Sequence, residues 1–125
     1  MAMISVVKQN ELSEAPSTPS IIREFAYRGE GILVIRSKTQ PGIVSGWHHH
    51  GDYHVYGFMA SGSIKFEFGP GGRDFVEVGP GGFFNVFPNT VHRDINPSDE
   101  EGQIVILFLI GKGDVVINVE GPDTE

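Results

Sequence analysis

Glycine and proline interrupt this chain so regularly that a long helix has nowhere to form. Seventeen Gly and eight Pro are spread over 125 residues, and they fall between short apolar stretches rather than in one low-complexity block. Both residues break helices, glycine through backbone entropy and proline through its missing N–H and its ring. Between the breaks the pattern has a period of two. Ile64, Phe66 and Phe68 alternate with Lys65 and Glu67, which places the apolar side chains on one face and the charges on the other. Gly69-Pro70-Gly71-Gly72 and Gly79-Pro80-Gly81-Gly82 read as turns around Phe75 to Val78 and ahead of Phe83 to Phe87. Further strands are expected over Ile4 to Val7, Ile21 to Arg28, Ile32 to Ser37, Val91 to Asn96 and Val115 to Val119. Gln103 to Ile110 is almost wholly apolar and reads as a strand buried on both faces; Pro97 to Glu101 has room for one helical turn. About ten short strands with no helix between them predict an all-β sandwich or barrel.

One domain is expected. Residues 1–20 read as an N-terminal strand, arm and polar linker, and residues 21–125 as a single barrel. A chain of this length can bury roughly 65–70% of its unfolded surface and needs no covalent staples. It contains no Cys, which excludes disulfides, thiolate metal ligands and a catalytic thiol. The net charge of −7, with no run of Lys or Arg, argues against a nucleic-acid partner. The N-terminal apolar stretch is too short for a signal peptide or a membrane span, so a cytoplasmic protein is expected. An N-terminal arm and exposed strand edges suggest a homodimer.

Five histidines occur, and four of them lie between positions 48 and 54. If Ser45 to His50 is extended, His48 and His50 project to one face while Trp47 and His49 project to the other. Two imidazoles on one face of a strand can grip a single metal ion. Imidazole suits Fe, Ni, Cu and Zn and tolerates Mn, so ligand type leaves the identity of one divalent transition-metal ion open.

Pro41-Gly42, His48, His50 and Gly62 resemble the first sequence motif of the cupin superfamily, in which a Gly precedes a His-x-His pair by six positions and a Glu and a Gly follow. Gly81, then Phe87-Pro88-Asn89-Thr90-Val91-His92, then Asn96 resemble the second motif in its spacing. Phe87 stands where that motif usually has Pro, and Asn89 where it has Gly; Asn tolerates the left-handed backbone that Gly supplies. The resemblance spans Pro41 to Asn96. It implies a cupin-like double-stranded β-helix, a jelly-roll barrel, and adds His92 to the metal ligands.

The Glu of the first motif is missing. Counted forward from His50 its slot falls on His54; counted back from Gly62 it falls on Val55. One residue reverses the face of a strand side chain, and a β-bulge near Tyr53 or Gly57 would reconcile the counts. His54 is favoured as the further ligand because Val55 cannot coordinate, giving the set His48, His50, His54 and His92; the alternative is His48, His50 and His92 with water. Tyr56 and Phe58 share the parity of His54 and would line the cavity with it. Trp47, Tyr53, Tyr56, Phe58 and Met59 nonetheless read first as barrel packing rather than substrate contacts, and Arg36 and Arg93 as partners in surface ion pairs.

Cupin-like sites of this kind support dioxygenation, isomerisation, epimerisation and decarboxylation. The resemblance therefore implies a small metalloenzyme, dioxygenase-like or isomerase-like, acting on a small organic molecule inside the barrel. The alternative is a non-catalytic cupin that binds or senses a small molecule.

Overall fold

The period-two stretches form strands, and their apolar faces meet. The computed structural model describes residues 2–122 and Thr124. Eleven strands run β1 (Ser13–Glu14), β2 (Ile22–Gly29), β3 (Ile32–Thr39), β4 (His48–His49), β5 (His54–Ser61), β6 (Ile64–Phe68), β7 (Asp74–Val78), β8 (Phe83–Val86), β9 (His92–Ile95), β10 (Gln103–Ile110) and β11 (Ile117–Asn118). They form two antiparallel sheets, one ordered β1-β2-β3-β10-β5-β8 and the other β11-β4-β9-β6-β7. Ile35, Val55, Met59, Val105, Leu107 and Leu109 from the first sheet meet Ile64 and Phe66 from the second in a single core. This is a jelly roll, in which two sheets share one interior and leave only short edges.

Most of the strands expected from the sequence form, with three differences. Ile4 to Val7 is not a strand. Ile4 is 93% and Val6 74% exposed, and no neighbouring strand takes up their backbone; the first pairing is instead made by Ser13 and Glu14 with Phe25 and Glu24. The strand expected over Val115 to Val119 shortens to Ile117–Asn118. β10 is buried on one face only. Gln103, Val105, Leu107 and Leu109 point inward, whereas Phe108 and Ile110 are exposed, because no second layer covers the outer face of the large sheet among the described residues. The segment Pro97 to Glu101 makes no helical turn. Ser98 Oγ instead accepts the backbone N–H groups of Glu100 and Glu101, and the one helical element among the described residues is a 3₁₀ turn at Pro70–Gly72 in the β6–β7 hairpin. Among the described residues no helix is long and apolar enough to cross a membrane.

At Gly57 a side chain has been given up to make room for another. Gly57 lies opposite Phe84 in the β5–β8 pair, and a Cβ at this position would collide with the Phe84 ring. The glycine lets that ring lie flat across β5 and reach the interior beside Phe66, with ring centroids 4.7 Å apart. Gly57→Ala is therefore expected to expel the ring and cost about 1–3 kcal/mol, as overpacking of a filled core does. Urea unfolding monitored by circular dichroism measures the loss, and an unchanged midpoint contradicts it.

Candidate metal centre

β4 is only two residues long, and its position does most to build the site. It lies between β11 and β9, with His48 directly opposite His92. Alternation turns His48 inward, His49 outward and His50 inward: His48 is 0% and His50 5% exposed. The chain then turns at Gly51, whose φ is 56°, and His92 arrives from the other side as the first residue of β9. The turn before His92 needs a left-handed residue, and Asn89 supplies it with a φ of 59°. Its backbone N–H donates to Gly51 O at 2.7 Å and its side-chain amide to Asp52 at 3.1 Å. The two histidine-bearing turns are thereby fastened to each other. Asn96, the last residue of the second motif, is a structural clamp: its amide donates to the backbone oxygens of Gln40 and Glu101.

One ligand nitrogen from each of His48, His50 and His92 lies within 4.8 Å of the other two, and all three residues are buried. Each ring is oriented from behind by a backbone carbonyl. The Nδ1 atoms lie 2.9 Å from Gly46 O for His48, 2.8 Å from Val115 O for His50 and 2.8 Å from Thr90 O for His92. A carbonyl can only accept, so Nδ1 carries the proton in each ring and, in the neutral form, Nε2 presents a lone pair to the centre.

Electrostatics keep these rings neutral. Burial is the largest cause for all three. It drives the pKa of His48 from 6.5 down to about 2, reinforced by the neighbouring charges of His92 and Arg23. His50 is held well below 6.5 by burial, with His92 and Arg23 again adding. His92 is lowered by burial, while Asp94 and the Thr90 carbonyl partly oppose the shift. Neutral imidazole is the form that binds metal.

The structure does not bring His54 to this cluster. On β5 it is Val55 and Met59 that point inward, at 1% and 0% exposure. His54 turns outward, stacks on Tyr56 with ring centroids 4.6 Å apart and contacts Phe87 at 4.8 Å. The register irregularity in β5 falls between its partners Ile104 and Val105, at Ala60, and not near Tyr53 or Gly57. Nothing therefore reverses the face of His54, and the apolar Val55 lines the cavity next to His50 and His92. Tyr56 and Phe58 share the outward parity, so neither lines the interior. His49 faces away as expected, its Nδ1 accepting from the Gly51 N–H at 3.0 Å. Arg36 and Arg93 are held by Glu24 and Glu67, at 3.1 and 2.7 Å.

Two residues that sequence reasoning passed over complete the centre. Arg23 on β2 is 2% exposed; one of its terminal nitrogens donates to Thr18 Oγ1 at 2.9 Å and the other lies 3.3 Å from His48 Nε2. Asp94, two residues beyond His92 and on the same face, places Oδ1 3.6 Å from His48 Nε2 and 3.5 Å from His92 Nε2. Period two would have found both, since Arg23 alternates inward between Ile21 and Phe25, and Asp94 shares the parity of His92.

The interior space beside His50, His92, Asp94 and Arg23 is about 10 Å³, on the scale of a single water or ion. Beyond it a mouth of about 500 Å³ is walled by Phe66, Phe68, Phe84 and Phe87, with His92 at its base. The donor set fits a divalent transition metal: three oriented lone pairs converge, with a carboxylate oxygen beside them that has no hydrogen-bond partner. His48, His50 and His92 are the residues that could hold it.

No known protein-family model matches the chain, and no curated protein matches by sequence. Solved structures do match. An uncharacterised conserved protein with a double-stranded β-helix domain from Klebsiella pneumoniae is similar with a TM-score of 0.72 at 18% identity, over 94% of this chain and 99% of that one. The polyketide cyclase RemF from Streptomyces resistomycificus gives a TM-score of 0.74 at 14% identity, over 94% and 86%. An RmlC-like cupin from Shewanella frigidimarina gives 0.67 at 14% identity, over 88% and 93%. Two packed antiparallel sheets and this likeness together show that the chain has the double-stranded β-helix fold of the cupins.

Proposed function

We propose that this chain is a small metalloenzyme in which His48, His50 and His92 hold one divalent transition-metal ion and act on a small organic molecule admitted through the phenylalanine-walled mouth. The observation that carries the reading is the convergence of three buried, carbonyl-oriented imidazoles, one of which, His92, lines that mouth. Three protein ligands leave positions open, as a catalytic rather than a structural ion requires. When bound, the ion would supply Lewis acidity to a substrate oxygen or, if redox-active, electron transfer. The chain's own residues bind and orient. Phe66, Phe68, Phe84 and Phe87 form an apolar wall that fits a flat or aromatic body and keeps bulk water from the centre. Arg23 adds a buried positive charge on the Nε2 side of His48. An enzyme among the structural neighbours, the polyketide cyclase RemF, supports catalysis on this fold, although a fold hosts many functions. Oxygenation and isomerisation are the reactions put forward.

The test is reconstitution of metal-free protein with Fe(II), Mn(II), Ni(II), Cu(II) or Zn(II) in turn, followed by a screen of small aromatic and carbonyl compounds for oxygen uptake and products. Turnover is expected with at least one ion, and a chelator abolishes it. Phe84→Ala is expected to raise KM about tenfold, the loss of roughly 1.4 kcal/mol of aromatic contact, with metal content unchanged. Compounds that raise Tm while no ion supports turnover would establish the non-catalytic binding role instead.

A further inference from the structure

We infer that Asp94 is the anionic ligand of the metal, completing a three-histidine, one-aspartate set. The inference rests on the metal-binding reading above and extends it to a residue outside the histidine cluster. Asp94 is buried, and its Oδ1 has no hydrogen-bond partner. That oxygen faces the Nε2 atoms of His48 and His92 at 3.6 and 3.5 Å. Both nitrogens present lone pairs, because the Nδ1 atoms hold the ring protons against Gly46 O and Thr90 O; that of His48 also accepts from Arg23 at 3.3 Å. Three electron-rich atoms thus confront one another in a buried interior; Arg23 reaches only His48 Nε2 among them, and a cation shared by all three would offset the repulsion that remains. The spacing is also that of ligands rather than of a hydrogen bond. Two donors each about 2.1 Å from one ion stand roughly 3–3.5 Å apart.

The backbone of Asp94 is held as firmly as those of the histidines. Its N–H donates to Ser45 Oγ at 2.9 Å, and its carbonyl accepts from the Ser45 N–H at 2.9 Å. Among the described residues no other carboxylate lines this cavity, and Val55 of β5, which also lines it, is apolar. The Arg23 guanidinium, close to His48 Nε2, is the cation nearest to this group of acceptors, and its charge and that of Asp94 attract each other. A divalent ion with three neutral imidazoles would keep both its charges; Asp94 removes one of them.

The experiment compares full-length wild type with Asp94→Asn and Asp94→Ala, using Mn(II) titration for affinity and Co(II) absorption for the ligand field. Wild type is expected to bind one ion per chain. Both variants are expected to bind at least 100-fold more weakly, above the range that loss of a merely supporting residue gives, and their Co(II) bands are expected to shift. Unchanged affinity and an unchanged Co(II) spectrum would overturn the assignment of Asp94 while leaving the histidine site standing. Absence of binding by the wild type would overturn both. If neither variant folds by circular dichroism, the Mn(II)-loaded wild-type crystal structure decides. An Asp94 oxygen about 2.2 Å from the ion supports the assignment, and one beyond hydrogen-bond distance overturns it.

Discussion

Replacing His92 by alanine should cost this chain its metal: affinity for Mn(II) or Zn(II) falls by at least about a thousandfold, roughly 4 kcal/mol. His48→Ala and His50→Ala should do the same, because each removes one of the three converging nitrogens. The informative comparison is with the two other histidines in the run. His49→Ala and His54→Ala should leave affinity within about twofold of wild type, since neither ring faces the centre. Titration of chelator-treated protein, with circular dichroism to confirm folding, makes the measurement. A His54 variant that lost metal as completely as the His92 variant would show that β5 presents the other face in solution.

Acid should unfold the metal-free protein unusually steeply. The sign follows from which state takes up protons. Burial depresses the folded-state pKa of His48, His50 and His92 below the ordinary 6.5, so the unfolded chain binds more protons once pH drops below 6.5. Stability is fully present above that value and is lost progressively as pH falls towards the folded values, about 2 for His48. The charged groups around the cluster pull in both directions. Arg23 from β2 resists protonation, whereas Asp94 from β9 favours it at His92. Taken from pH 7 to pH 5, His48 alone withdraws about 2 kcal/mol, and His50 and His92 add in the same direction. Against a typical domain stability of roughly 5–15 kcal/mol that is a large share. Urea midpoints of metal-free protein at pH 7, 6 and 5 test this. A flat series would contradict three buried neutral imidazoles. Metal-loaded protein should resist acid to a lower pH, because the ion binds only the folded, deprotonated rings.

The barrel was legible because its signals are local. The alternation at Ile64, Phe66 and Phe68 and the Gly-Pro turns follow from short-range geometry, and both form; the jelly-roll arrangement was implied by the resemblance of the two motifs. The pair His48 and His50, with His49 turned away, was legible for the same reason. Asn89 in a left-handed turn was implied by its place in the Gly slot of the second motif, and its backbone tolerance permits it. The choice between His54 and Val55 was not legible, since two counts along one strand differed by a single residue. Only the pairing of β5 with β10 and β8, with its irregularity at Ala60, decides which side chain faces inward. Arg23 and Asp94 are legible in parity alone: each falls at an inward position of its strand, although charge by itself marks such a residue as surface. The outer face of β10 shows the converse. Its apolar run predicted burial on both sides, but hydrophobicity says nothing of whether a second layer exists to cover it.

Elemental analysis of native, untagged protein, purified without chelator, tests the central claim most directly. About one divalent transition-metal ion per chain is expected, lost on His92→Ala and retained on His54→Ala. A wild-type protein that carries no metal as purified and takes up none on reconstitution would contradict the account.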